Sequence, residues 1–183
     1  MSSPLTYSED YIAGILRSVK TIAMVGASAN QIRPSWFAMK YLQEKGFRII
    51  PVNPAAKEEE ILGEKVYASL ADIPVPVDMV DIFRSSEAAG EIIDEVIRLK
   101  EKLCASVVWM QLTVINHEAA ARAEAAGFKV VMDRCPKIEY GRLCGDIGFM
   151  GVNRRIIDNK RKPLGAGRGA LSRNALGQGK GQL

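Results

Sequence analysis

Residues 25–36 read VGASANQIRPSW, between a short apolar run and an amphipathic one. The types and spacing suit one task, holding a phosphate. A helix N-terminus offers free N–H groups and the positive end of a dipole. Gly26 allows a tight turn, and Ser28 adds a hydroxyl. Arg33 adds a fixed positive charge, Pro34 suits the first helical position, and Ser35 sets a second hydroxyl in the first turn. The plainer reading is a compact strand–helix connection made by Gly26 and Pro34. The surrounding pattern favours the phosphate.

Two features weigh against a nicotinamide dinucleotide. After Gly26, the G-x-G-x-x-G pattern would put glycines where Ser28 and Gln31 stand. The next apolar run ends IIPVNP, with Asn53 where a ribose-holding acid belongs. A ligand with phosphates and an adenine, held differently, fits both departures.

Further candidates end other apolar runs. Phe83 and Arg84 follow VDMVDI; Arg84 can meet a phosphate, or pair with Asp81 or Glu87 as an ordinary surface bridge. Gln111 ends SVVWMQ and is expected to point into a crevice, whereas Trp109 in the same run suits the core. His117, the one histidine, falls in a predicted first helical turn, a solvated position. No serine–histidine–aspartate or zinc spacing is present, so no catalytic residue and no metal are expected.

The elements that must position these groups alternate. An opening helix over 8–18 carries Ser8 as its cap, and Tyr11, Ile12, Ile15 and Leu16 share a face. Strands are predicted at 21–26, 47–53, 77–83, 106–111 and 128–132. Helices are predicted from Pro34 to Gly46, over 85–103, and over 116–127. Residues 54–76 are irregular, with room for a short strand or helical turn. This is an α/β, Rossmann-like, doubly wound domain: a five-stranded parallel sheet with helices on both faces. Numbered along the chain, its strands are expected in the order 3-2-1-4-5, with the crevice at the carboxyl ends of strands 1 and 4.

Taken in order, IAMVGAS, RPS, YLQEKGFRIIPVNP, ILGEKVYASLADIP, VDMVDIFR, WMQL and NHEAAARAEAAGFKVVMDRCPKIEY resemble the small stand-alone CoA-binding proteins of bacteria and archaea. These are similar in fold to the CoA-binding domain of the succinyl-CoA synthetase α subunit. The resemblance spans about residues 12–143 and implies coenzyme A as ligand. It also implies that Gly26, Ala27, Ser28 and Arg33 face the phosphates, while Val52, Asn53 and Pro54 border the adenosine. Gln111 would meet the pantetheine amides. Such proteins usually carry a glycine shortly after this glutamine; Thr113 stands there and narrows the path. Cys135, in MDRCPKIEY, matches a family cysteine. It is either a thiol able to form a mixed disulfide with CoA, activated by Arg134 and Lys137, or simply packed.

The bulk properties set the frame. The 183 residues suffice for one domain with a proper core. We expect a CoA-binding domain over 1–145, an extension over 146–159 and a flexible tail over 160–183; part of 144–158 is apolar enough to pack on the domain or on a second subunit. The chain's net charge of +4 is misleading, because the tail holds six basic residues and no acid, leaving the body mildly acidic. A glycine-rich tail without aromatic residues argues against nucleic acid. No apolar run is long enough for a membrane span, no signal peptide is evident, and Cys104, Cys135 and Cys144 suit reduced thiols, so a cytoplasmic location is expected. Three functions follow. The first is a non-catalytic CoA or acyl-CoA carrier, sensor or regulatory module, alone or as a homo-oligomer. The second is an enzyme, either the CoA-binding part of an acyl-CoA ligase with a partner chain or an NAD(P)-linked oxidoreductase. The third is a nucleic-acid-associated protein using the tail.

Overall fold

The structure, a computed structural model, describes residues 5–144. The expected extension over 146–159 and the tail over 160–183 lie outside them.

Five parallel strands form the sheet: β1 Thr21–Val25, β2 Arg48–Val52, β5 Met79–Ile82, β6 Val107–Met110 and β7 Lys129–Val131. Between β2 and β5 come two short strands, β3 Glu60–Ile61 and β4 Glu64–Lys65, paired antiparallel, and a 3₁₀ turn at Leu70–Asp72. The helices are α1 Glu9–Ser18, α2 Pro34–Glu44, α3 Ser86–Arg98, α4 Lys100–Leu103, α5 His117–Ala125 and α6 Pro136–Cys144. The helix expected over 85–103 is therefore two pieces joined at Leu99.

Caps behave as their residue types dictate. The side chains of Ser8, Ser85 and Asn116 accept from backbone N–H groups in the first turns of α1, α3 and α5. Strand pleating splits the core into two layers. Ile22, Met24, Ile49, Met79, Val107 and Trp109 face α1, α2 and α6. Ala23, Val25, Ile50, Val80, Val108 and Met110 face α3 and α5. Each large aliphatic side chain buried this way contributes about 1.5–3 kcal/mol. Trp109 is fully buried, as expected of a core residue, and its Nε1 donates to the Arg134 carbonyl at 2.7 Å.

The doubly wound parallel architecture is as expected, but its strand order differs. The sheet runs β2-β1-β5-β6-β7, so the third of the five long strands lies beside the first and not outside the second. The reason lies in residues 53–78. They contain no crossover helix to lay a strand beyond β2; they form the small hairpin and the 3₁₀ turn and return on the far side of β1. The winding reverses there, which is why α2 covers one face and α3 and α5 the other. The crevice consequently opens between β1 and β5, not between the first and fourth strands.

Candidate functional site

At the carboxyl edge of β1, Gly26 adopts φ +89° and its N–H donates to the Val52 carbonyl at 2.8 Å. A Cβ at this position would lie 2.4 Å from the Phe83 carbonyl oxygen. Only glycine allows strands β1 and β5 to end this close together. The loop continues through buried Ala27, whose carbonyl accepts from Asn53 Nδ2 at 2.8 Å. Asn53 Oδ1 accepts from the Ala55 N–H at 3.0 Å. Both ends of the Asn53 side chain thus serve the backbone, so Asn53 shapes the loop. Ser28 accepts from the Asn30 N–H at 3.2 Å, a local turn. Arg33 caps α2 without a side-chain bond, leaving the first-turn N–H groups free of such a cap. Arg33 is exposed, and Ser35 is buried.

Two clefts meet at this edge. One, of about 390 Å³, lies between the ends of β1 and β2 and helix α3, with Gly26, Val52, Pro54, Ser69 and Ala88 in its wall. The other, of about 640 Å³, lies between α2, the loop after β6 and the start of α6, with Pro34, Phe37, Phe83, Gln111, Thr113 and Cys135 in its wall. Arg84 belongs to both walls. It is exposed and forms no ion pair among the described residues; neither Asp81 nor Glu87, the partners open to it in the sequence, bridges it. Of the residues singled out beforehand, Gly26, Pro34, Val52, Pro54, Phe83, Arg84, Gln111, Thr113 and Cys135 line the clefts. Ala27, Ser28 and Asn53 are tied into the loop at the ends of β1 and β2, and exposed Arg33 and buried Ser35 stand at the start of α2.

Thr113 has φ +68°, a left-handed conformation costly for a β-branched residue. It is held there by its N–H, which donates to Asp133 Oδ1 at 2.8 Å, and by its carbonyl, which accepts from Ser86 Oγ at 3.3 Å. A glycine preference at this position follows from the backbone itself.

The environment of Cys135 does not activate it. Burial, the largest influence, pushes its thiol up, and the nearby Asp81 carboxyl adds to that. N–H groups of Ile138 and Lys137 and the Lys137 charge act the other way without overcoming it. Arg134, expected to help, is turned elsewhere: its guanidinium donates to the Asp133 and Leu5 carbonyls, both at 2.9 Å. Lys137 sits over the Phe37 and Tyr41 rings, 5.9 and 5.8 Å from their centroids.

One polar residue escaped attention as part of the site. Asp81 lies within β5, fully buried, and burial pushes its carboxyl up to about 8 against the lowering effect of Gln111. An acid inside the apolar run VDMVDIF was the available signal. Among the described residues no cluster of metal-ligating side chains occurs, and no helix is long and apolar enough to cross a membrane.

Comparison with known proteins bears on this geometry. Residues 20–141 match the family described as "CoA binding domain". A Bacillus subtilis (strain 168) protein, "Uncharacterized protein YneT", is 37% identical over 133 residues, 73% of this chain and 94% of that one. The "Acetate--CoA ligase [ADP-forming] II" of Archaeoglobus fulgidus is 36% identical over 91 residues, 47% of this chain and 13% of the ligase. Among solved structures, a "hypothetical protein from Pyrococcus horikoshii OT3" shares 39% identity with a TM-score of 0.70, covering 78% of this chain and 97% of that one.

Proposed function

The chain belongs to the CoA-binding domain family, and from that premise we propose that its two clefts hold the two halves of one coenzyme A or acyl-CoA molecule. The adenosine lies in the smaller cleft over Val52 and Pro54. The pyrophosphate passes the Gly26 turn at Arg84, and the pantetheine arm runs into the larger cleft past Phe83 and Gln111. The observation that carries this reading is Arg84, a cation shared by both walls and paired with no carboxylate among the described residues. An arginine so placed is free to bind phosphate oxygens with several donors. Glu91 and Glu95 also line the smaller cleft, so the ribose phosphate must lie toward Arg84 and away from α3.

The role we favour is a non-catalytic carrier, sensor or regulatory module in the cytoplasm. The ligase names of several relatives support a second reading, the CoA-binding component of a ligase completed by a partner chain. An NAD(P)-linked role has less support, since Asn53 replaces the ribose-binding acid and is committed to the backbone.

Thermal unfolding with CoA, acetyl-CoA, dephospho-CoA, NAD and NADP tests the proposal. A ligand that binds only the folded state raises the melting temperature. CoA and acetyl-CoA are expected to give the large shifts, dephospho-CoA a smaller one and NAD the least. A larger shift with NAD than with CoA would overturn it.

A further inference from the structure

Asp81 is a costly residue where it stands. It is completely buried in the middle of the sheet, between Met24 of β1 and Trp109 of β6 at the paired positions. Pleating turns it to the same face as Met79, toward α2 and α6. Its one side-chain hydrogen-bonding partner among the described residues is Gln111, whose Nε2 is 3.0 Å from Oδ1 and 3.0 Å from Oδ2. A nitrogen equidistant from two carboxyl oxygens fixes the amide, because a carboxylate only accepts. The other end, Oε1, then points away from Asp81.

That oxygen has no hydrogen-bond partner among the described residues, and it is not sealed from solvent, since no buried polar side-chain atom goes unsatisfied. Gln111 is 95% buried, with 5% of its surface exposed, and it lines the larger cleft. A rigidly held acceptor therefore stands in the wall of an otherwise mainly apolar cavity.

We propose that Asp81 and Gln111 form a hydrogen-bonding subsite in which ionised Asp81, a positioning residue, orients Gln111 so that Oε1 accepts from an N–H donor on the ligand, a secondary amide. This rests on the CoA reading above and deepens it, because only the arm of that ligand carries amides into the larger cleft. It also assigns the buried acid a purpose. A neutral partner such as asparagine offers one donor and one acceptor, pairs with both ends of the Gln111 amide, and withdraws Oε1 from the cleft. A protonated Asp81 does the same. The groups that act on Asp81 are Gln111, at the end of β6, and the Cys135 thiol, before α6.

The test is calorimetric titration at pH 9, where Asp81 is ionised, with two probes: CoA, and adenosine 3′,5′-bisphosphate, which lacks the arm. Wild type, Asp81→Asn and Gln111→Met are compared. The expected result is a loss of CoA affinity of about 10-fold in each variant, the worth of one buried hydrogen bond, with bisphosphate affinity unchanged. A purely structural role for Asp81 would weaken both probes together. Equal losses for both probes, or no loss for CoA, would overturn the assignment. If Asp81→Asn fails to fold, Gln111→Met, similar in volume, decides alone. Wild type binding the bisphosphate but not CoA would also overturn the subsite, while binding neither probe would overturn the CoA reading together with it.

Discussion

Asn53 Nδ2 donates to the Ala27 carbonyl at 2.8 Å, tying the end of β2 to the loop after β1. This bond explains why an asparagine, and not an acid, ends the second strand. Asparagine can donate to a carbonyl; aspartate can only accept. The bond holds the Gly26 turn in register with the end of β2.

Asn53→Asp is accordingly expected to destabilise the fold. It leaves the Ala27 carbonyl without its donor and sets a negative charge against it. A loss of about 1–3 kcal/mol is expected, with the melting temperature lower by about 3–10 °C. CoA affinity should fall as well, while NAD binding should not appear. Thermal unfolding with and without each nucleotide checks both.

Arg84→Ala should behave in the opposite way. Arg84 is exposed and carries no ion pair among the described residues, so its removal should leave stability within about 0.5 kcal/mol of wild type. CoA affinity should drop by about 10-fold or more, as expected on loss of a hydrogen bond to a charged group. Titration calorimetry beside urea unfolding separates the two effects.

Asp81 predicts a pH dependence of stability. Its folded-state value, about 8, lies above the ordinary carboxyl value, so folding takes up a proton between these limits. The stabilisation this gives is complete below about pH 4, declines as pH rises, and is gone above about 8, with a slope of at most about 1.4 kcal/mol per pH unit. Asp81→Asn cannot titrate. Its stability relative to wild type should therefore rise from pH 5 to pH 8, as followed by urea unfolding. A constant difference across that range contradicts the assignment.

Thr113→Gly should relieve the left-handed backbone at φ +68°. The gain is about 1 kcal/mol, reduced by the greater freedom of glycine when unfolded. Melting temperatures of the two proteins, compared in one buffer, measure it.

Much of the fold was legible because local signals agreed with one another. Pro34 and Gly46 bound α2, Ser8 and Asn116 cap their helices, and apolar runs mark all five long strands. Strand order was not legible. It depends on whether residues 53–78 build a crossover helix, and they carry no periodicity that says so. Helix α6 was missed because its pattern is weakly amphipathic, although Pro136 at its start was a cue. Within the site, residue types located the clefts but not the division of labour. Arg84 and Gln111 line a cavity, whereas Ser28 and Asn53 turn inward to the backbone. The low reactivity expected of Cys135 depends on burial, which sequence neighbours such as Arg134 could not reveal.

The most direct test is a crystal structure of the chain with CoA bound. In crystals grown at pH 9, the account predicts adenosine over Val52 and Pro54, pyrophosphate oxygens on Arg84, and a pantetheine amide N–H on Gln111 Oε1. Crystals in which CoA leaves both clefts empty while NAD fills them would contradict it.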